Sequence, residues 1–108
     1  MKEIKNIPIF MYGENANGYI IDESEVSNFE KFKNVPIINH IGNEEMGENV
    51  IGVVMSATRL EFPYVYGDVA VYRNLSFTKF KNSQIQCECF DKESMKLTNV
   101  DILVIELE

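Results

Sequence analysis

His40, Cys87 and Cys89 are the side chains of this sequence with the widest chemical reach, the histidine being the only one and the cysteines the only two. A cysteine or serine becomes a nucleophile when a base lies within hydrogen-bond reach and a third group orients that base. His40 stands near the end of an apolar stretch, in Asn39-His40-Ile41-Gly42. On spacing alone it reads as a packed, hydrogen-bonded strand-end residue. The run Gln84 to Phe90 alternates strictly, which puts Ile85, Cys87 and Cys89 on one face and Gln84, Gln86, Glu88 and Phe90 on the other. Cysteine packs as a small apolar side chain, so that face can be plain core. A zinc site from His40, Cys87 and Cys89 lacks the wider spacing of cysteine knuckles and a fourth ligand, and no metal or other cofactor is expected. A disulfide between cysteines two positions apart on one strand is strained. Glu44, Glu45 and Glu48 do not have calcium-loop spacing and read as a solvated turn. Gly-rich phosphate loops, Gly-x-Ser-x-Gly elbows and His-Glu-x-x-His helices are absent from the sequence.

The elements that must position these residues are mostly short strands. Ile7 to Met11 and Gly18 to Ile21 flank an Asn17-Gly18 turn and are expected to pair as a hairpin. Asp22-Glu23-Ser24-Glu25 has capping-box spacing, and Val26, Phe29 and Phe32 then recur every three residues, which predicts one short helix ending near Pro36 with Phe29 and Phe32 buried beneath it. Val35 to Ile41 reads as a strand, 42–49 as a polar loop, and Val50 to Leu60 with Tyr64 to Tyr72 as an antiparallel hairpin around Phe62-Pro63. Residues 73–83 and 91–98 read as loops, and Val100 to Leu107 as a strand buried on both faces. Six or seven strands with one short helix and no βαβ rhythm predict a mainly β domain, a small antiparallel barrel or sandwich, with α+β as the alternative label.

At 108 residues the chain is expected to form a single domain, 1–108, with no internal linker. Seventeen acidic against ten basic residues give a formal charge of -7, which repels phosphate backbones and anionic headgroups, so neither nucleic acid nor membrane is an expected partner. The acids cluster at 22–25, at 44–48 and at both ends rather than along a DNA-like spacing. No apolar run approaches the roughly 20 residues that cross a bilayer, and Met1 to Asn6 has no signal-peptide core. Reduced thiols and a cytoplasmic setting are expected.

Taken together, residues 35–108 resemble the prohead (capsid maturation) proteases of tailed phages, whose fold is related to the herpesvirus assemblins. Asn34-Val35-Pro36-Ile37-Ile38-Asn39-His40 followed by Ile51-Gly52-Val53-Val54 is similar to that family's strand ending in Asn-His and its Ile-Gly-x-Val strand. Ile85-Gln86-Cys87-Glu88-Cys89-Phe90 matches the segment usually written Leu-Ser-x-Gly-Phe. The resemblance implies that His40 is a catalytic base, that Cys87 stands at the nucleophile's place, and that Asp101 orients the ring, since Val104 occupies a position often acidic in the family. The sequence departs from the pattern at Cys87 for serine, at Cys89 for glycine, and in the helix expected before the nucleophile, which is reduced to residues 73–83. The lost elements are those that build a site. The favoured expectation is therefore a non-enzymatic phage or prophage protein that keeps the barrel to bind a protein partner, such as a capsid or scaffold protein. The alternative is a minimal endopeptidase in which His40 activates Cys87.

Overall fold

The computed structural model describes residues 2–14, 18–38, 50–72 and 79–108, with the side chain of Cys89 left aside. In chain order the elements are β1 (Lys2–Met11), β2 (Gly13–Glu14), β3 (Ile20–Ile21), α1 (Glu23–Val26), a 3₁₀ helix (Phe29–Phe32), β4 (Pro36–Ile38), β5 (Val50–Glu61), β6 (Tyr64–Val71), β7 (Phe80–Asp91) and β8 (Lys96–Leu107). The expectation of a mainly β chain with one short α-helix holds. One sheet runs β1-β6-β5-β4-β8-β3-β2, and β7 pairs with the other side of β8. Most pairings are antiparallel, but β3 and β4 both join β8 in parallel. Phe80 of β7 meets Phe10 of β1 edge to face, ring centroids 5.8 Å apart, so the sheet nearly closes into a barrel. Ile9, Phe10, Phe32, Ile37, Val54, Val65, Val69 and Ile105 fill its interior without solvent exposure.

β5 and β6 form the expected hairpin, with Glu61 opposite Tyr64. β1 does not pair with the Gly18–Ile21 segment. Its ten residues need a long partner to satisfy their backbone groups, and the eight residues of β6 provide one from Lys2↔Val71 to Met11↔Tyr64. Ile20 and Ile21 instead bridge β2 and the start of β8.

Gly52 illustrates how closely β5 and β6 coil together. A Cβ there would lie 2.3 Å from the Ala70 carbonyl oxygen and 3.0 Å from Val71 Cα, both backbone atoms that cannot swing away. The glycine of the Ile51-Gly52-Val53-Val54 stretch thus has a packing reason of its own. Gly52→Ala should destabilise the fold by about 1–3 kcal/mol, as forced overpacking does. Urea denaturation of the variant checks this.

The single expected helix is two elements. α1 stops at Val26, and Asn28 starts the 3₁₀ helix by accepting the Glu30 N–H on its side chain at 3.3 Å. Spacing of three is the 3₁₀ repeat itself, and Ser27-Asn28 is a natural break and cap. Val26 and Phe32 are fully buried, whereas Phe29 is half-buried at the margin.

The expected capping box is not formed either. Asp22 makes no side-chain cap, and Glu25 reaches across to β8 instead of back to its own helix. Its carboxylate accepts from the Asn99 N–H at 3.1 Å and from the Val100 N–H at 3.0 Å. Asn99 has a left-handed φ of 51°, which resets the strand's alternation so that Leu97 and Val100 both point inward. Lys31 completes the clamp, donating to the Val100 carbonyl at 2.8 Å and lying 3.6 Å from Glu25.

Candidate binding groove

β7 is the strand on which a site can be built, because it is paired on one side only among the described residues. Its start is pinned at Phe80, and its far end turns through Asp91, whose carboxylate accepts the Glu93 N–H at 3.0 Å, into β8. β8 therefore begins at Lys96, inside the stretch expected to be a loop. Opposite Val100 and Ile102 on β8, Cys87 and Ile85 of β7 turn the same way, toward the interior. Neither is fully buried, because the neighbouring element on that side stands off. The result is a groove of about 410 Å³ between the inner face of β7 and Met11, Tyr19, Ile21 and Leu97.

The groove is apolar along its floor and polar at one end. There Lys81, a bulged residue between Phe80 and Asn82, places its ammonium 3.4 Å from the Glu106 carboxylate, which is almost completely buried. At the other end Tyr19 packs edge to face on Phe90, centroids 5.1 Å apart.

Cys87 is a free, half-buried thiol in this groove. Asp101 does not join it. Its register partner is Gln86, and both are exposed on the outer face of the β7–β8 ribbon, away from the face that carries Cys87. The alternation of a strand makes that separation unavoidable for residues paired with 86 and 87. His40 lies outside the described residues. The acids Glu44, Glu45 and Glu48 also lie outside the described residues, as does the side chain of Cys89, so two of the three residues weighed for zinc fall there. Among the described residues no group of three or more histidine, cysteine or acidic side chains could hold a metal ion, and no helix is long and apolar enough to cross a membrane.

Comparison with family models, curated proteins and solved structures gives no match for this chain.

The groove walls from outside β7 were not legible in the sequence as a site. Leu97 sits in a stretch whose alternation is broken at Asn99, where the backbone φ is left-handed, and the three-residue step from Leu97 to Val100 is the trace that break leaves. Met11 and Tyr19 come from segments whose mutual pairing does not occur, and nothing local marks them. Cys87 and Ile85, by contrast, face inward as the alternation of 84–90 predicts.

Proposed function

We propose that this chain is a non-enzymatic binding domain, in which the barrel holds a protein partner in the groove along β7. The observation that carries this reading is the groove itself: a cleft of about 410 Å³, mainly apolar and polar at one end, along the half-buried inner face of an edge strand, with Cys87 in its lining. Concave apolar surface with a few polar groups at its rim is the ordinary architecture of a recognition site. A role in phage or prophage assembly follows from the resemblance to prohead proteases, and a capsid or scaffold protein is the partner class it suggests. The catalytic alternative draws less support. Asp101 is on the outer face of the β7–β8 ribbon, away from the face that carries Cys87.

Iodoacetamide labelling of Cys87, compared between the wild type and His40→Ala from about pH 5 to about pH 9, separates the two readings. Equal rates in the two proteins at every pH are expected, together with no hydrolysis of unfolded polypeptide above that of Cys87→Ala. Fast labelling below about pH 7 that disappears in His40→Ala, with hydrolysis lost in both variants, would replace the binding reading by the endopeptidase.

A further inference from the structure

We propose that the partner enters as an added β-strand: an extended, basic peptide segment pairs with the free edge of β7 and drops alternate apolar side chains into the groove. This deepens the binding reading above and rests on it. β7 is twelve residues long, and among the described residues its backbone pairs with β8 alone, β1 approaching without pairing. Such an edge presents a row of N–H and C=O groups in the plane of the sheet. A directional row of that kind is matched by another extended chain and by few other ligands.

The side chains favour the same occupant. Ile85 and Cys87 are half-buried, so the apolar face of β7 continues into open groove instead of ending against packed core. On an added strand, every second residue points to that side at a spacing of about 6.6 Å. Tyr19, Ile21 and Leu97 stand ready to cover those residues from the far wall.

Charge selects the sign of the remaining residues. The outer face of the ribbon carries Gln86 and Glu88, with Asp101 beside Gln86. Glu88 accepts from the Asn99 side-chain amide, a neutral partner, and no cation is paired with Glu88 or Asp101 among the described residues. Lysine or arginine at the outward positions of the added strand would lie cross-strand from Glu88 and close to Asp101, the arrangement that favours opposite charges. The formal charge of -7 on the whole chain adds a long-range attraction for a basic segment and opposes the approach of a second copy.

The test uses the full chain and a fluorescein-labelled peptide of about eight residues alternating Val and Lys. Binding is read by anisotropy, and the site by hydrogen exchange of the β7 amides. The peptide is expected to bind and to slow exchange of edge amides between Asn82 and Glu88 by at least about tenfold. Full N-methylation of its backbone, which keeps the side chains and removes the donors, should weaken binding at least about tenfold, as should replacing each Lys by Glu. Glu88→Lys should weaken the Val–Lys peptide and leave the fold intact, since Glu88 is exposed. Equal binding of the N-methylated peptide, with nuclear magnetic resonance shifts at Ile85, Cys87 and Leu97 but no protection of β7, would overturn strand addition while leaving groove binding in place. Absence of any peptide-induced change around the groove would overturn both. Protection of the β7 edge without peptide, in a species that sediments as a dimer, would give the edge to a second copy and overturn the proposal.

Discussion

Truncating Phe32 to alanine is expected to cost about 3–5 kcal/mol of unfolding free energy, the range for removing a large aromatic side chain from a packed interior. Phe32 is 0% exposed and stacks edge to face on Phe10, with ring centroids 5.5 Å apart. Phe10 in turn meets Phe80, so the ring of Phe32 supports the contact that brings β7 against β1. Its loss leaves a void bordered by three elements that cannot all close on it. Phe29 lies one 3₁₀ turn away but half-buried, and Phe29→Ala should cost only about 1–2 kcal/mol, in proportion to the smaller apolar area withdrawn from water. Chemical denaturation of both variants is the measurement. A Phe32→Ala loss below about 1 kcal/mol would mean that the 3₁₀ helix is not seated in the barrel.

Replacing Glu25 by glutamine should cost about 2–3 kcal/mol near neutral pH, although the two side chains have nearly the same shape. The carboxylate offers two acceptors to two backbone donors, the N–H groups of Asn99 and Val100. An amide offers one acceptor, and its own N–H₂ group must then face a donor. Lys31 also loses its counter-charge. The same contacts hold the Glu25 carboxyl below the ordinary glutamate value: the Val100 N–H contributes most, burial works in the opposite direction, and the Asn99 N–H and Lys31 add to the lowering. A carboxyl whose folded pKa is depressed stabilises the fold above its unfolded value and loses that contribution as the pH falls through the folded value. The stability gap between wild type and Glu25→Gln should therefore be flat above roughly pH 5.5 and shrink on acidification below the ordinary value. A gap that stays constant to about pH 3 would show that the charge of Glu25 is not what holds the clamp.

Glu25 also marks the limit of what the amino-acid sequence alone reveals. Its place three residues after Asp22 is the local signature of a cap, and local signatures describe a helix as if nothing else were near. The competing donors on Asn99 and Val100 are more than seventy positions away, and no spacing rule reports them. The β5–β6 hairpin was legible because both strands and their turn are contiguous and their alternation is regular. The inward face of β7 was legible for the same reason. The parallel joins of β3 and β4 to β8 were not, because two or three residues of strand carry too little pattern to name a partner. Of the three residues weighed for catalysis, Cys87 turns inward as expected and Asp101 turns out, a consequence of strand parity that the register makes visible and the sequence alone does not.

The position of β8 has a bearing on how the chain is made. It pairs with β7 on one side and with both β3 and β4 on the other, so it joins segments separated by more than forty residues. During translation β1, β5 and β6 emerge early enough to find one another, and β4 can join β5 as soon as both have left the ribosome. The second edge of β4, the edge of β3 and the two donors that Glu25 needs are all supplied by residues from Lys96 onward. A nascent chain halted before that point carries unpaired strand edges together with Val26 and Phe32, which have no completed interior to enter. Such a chain is the species most prone to aggregate or to recruit a chaperone. Commitment to the native fold then waits for the release of its final described strand.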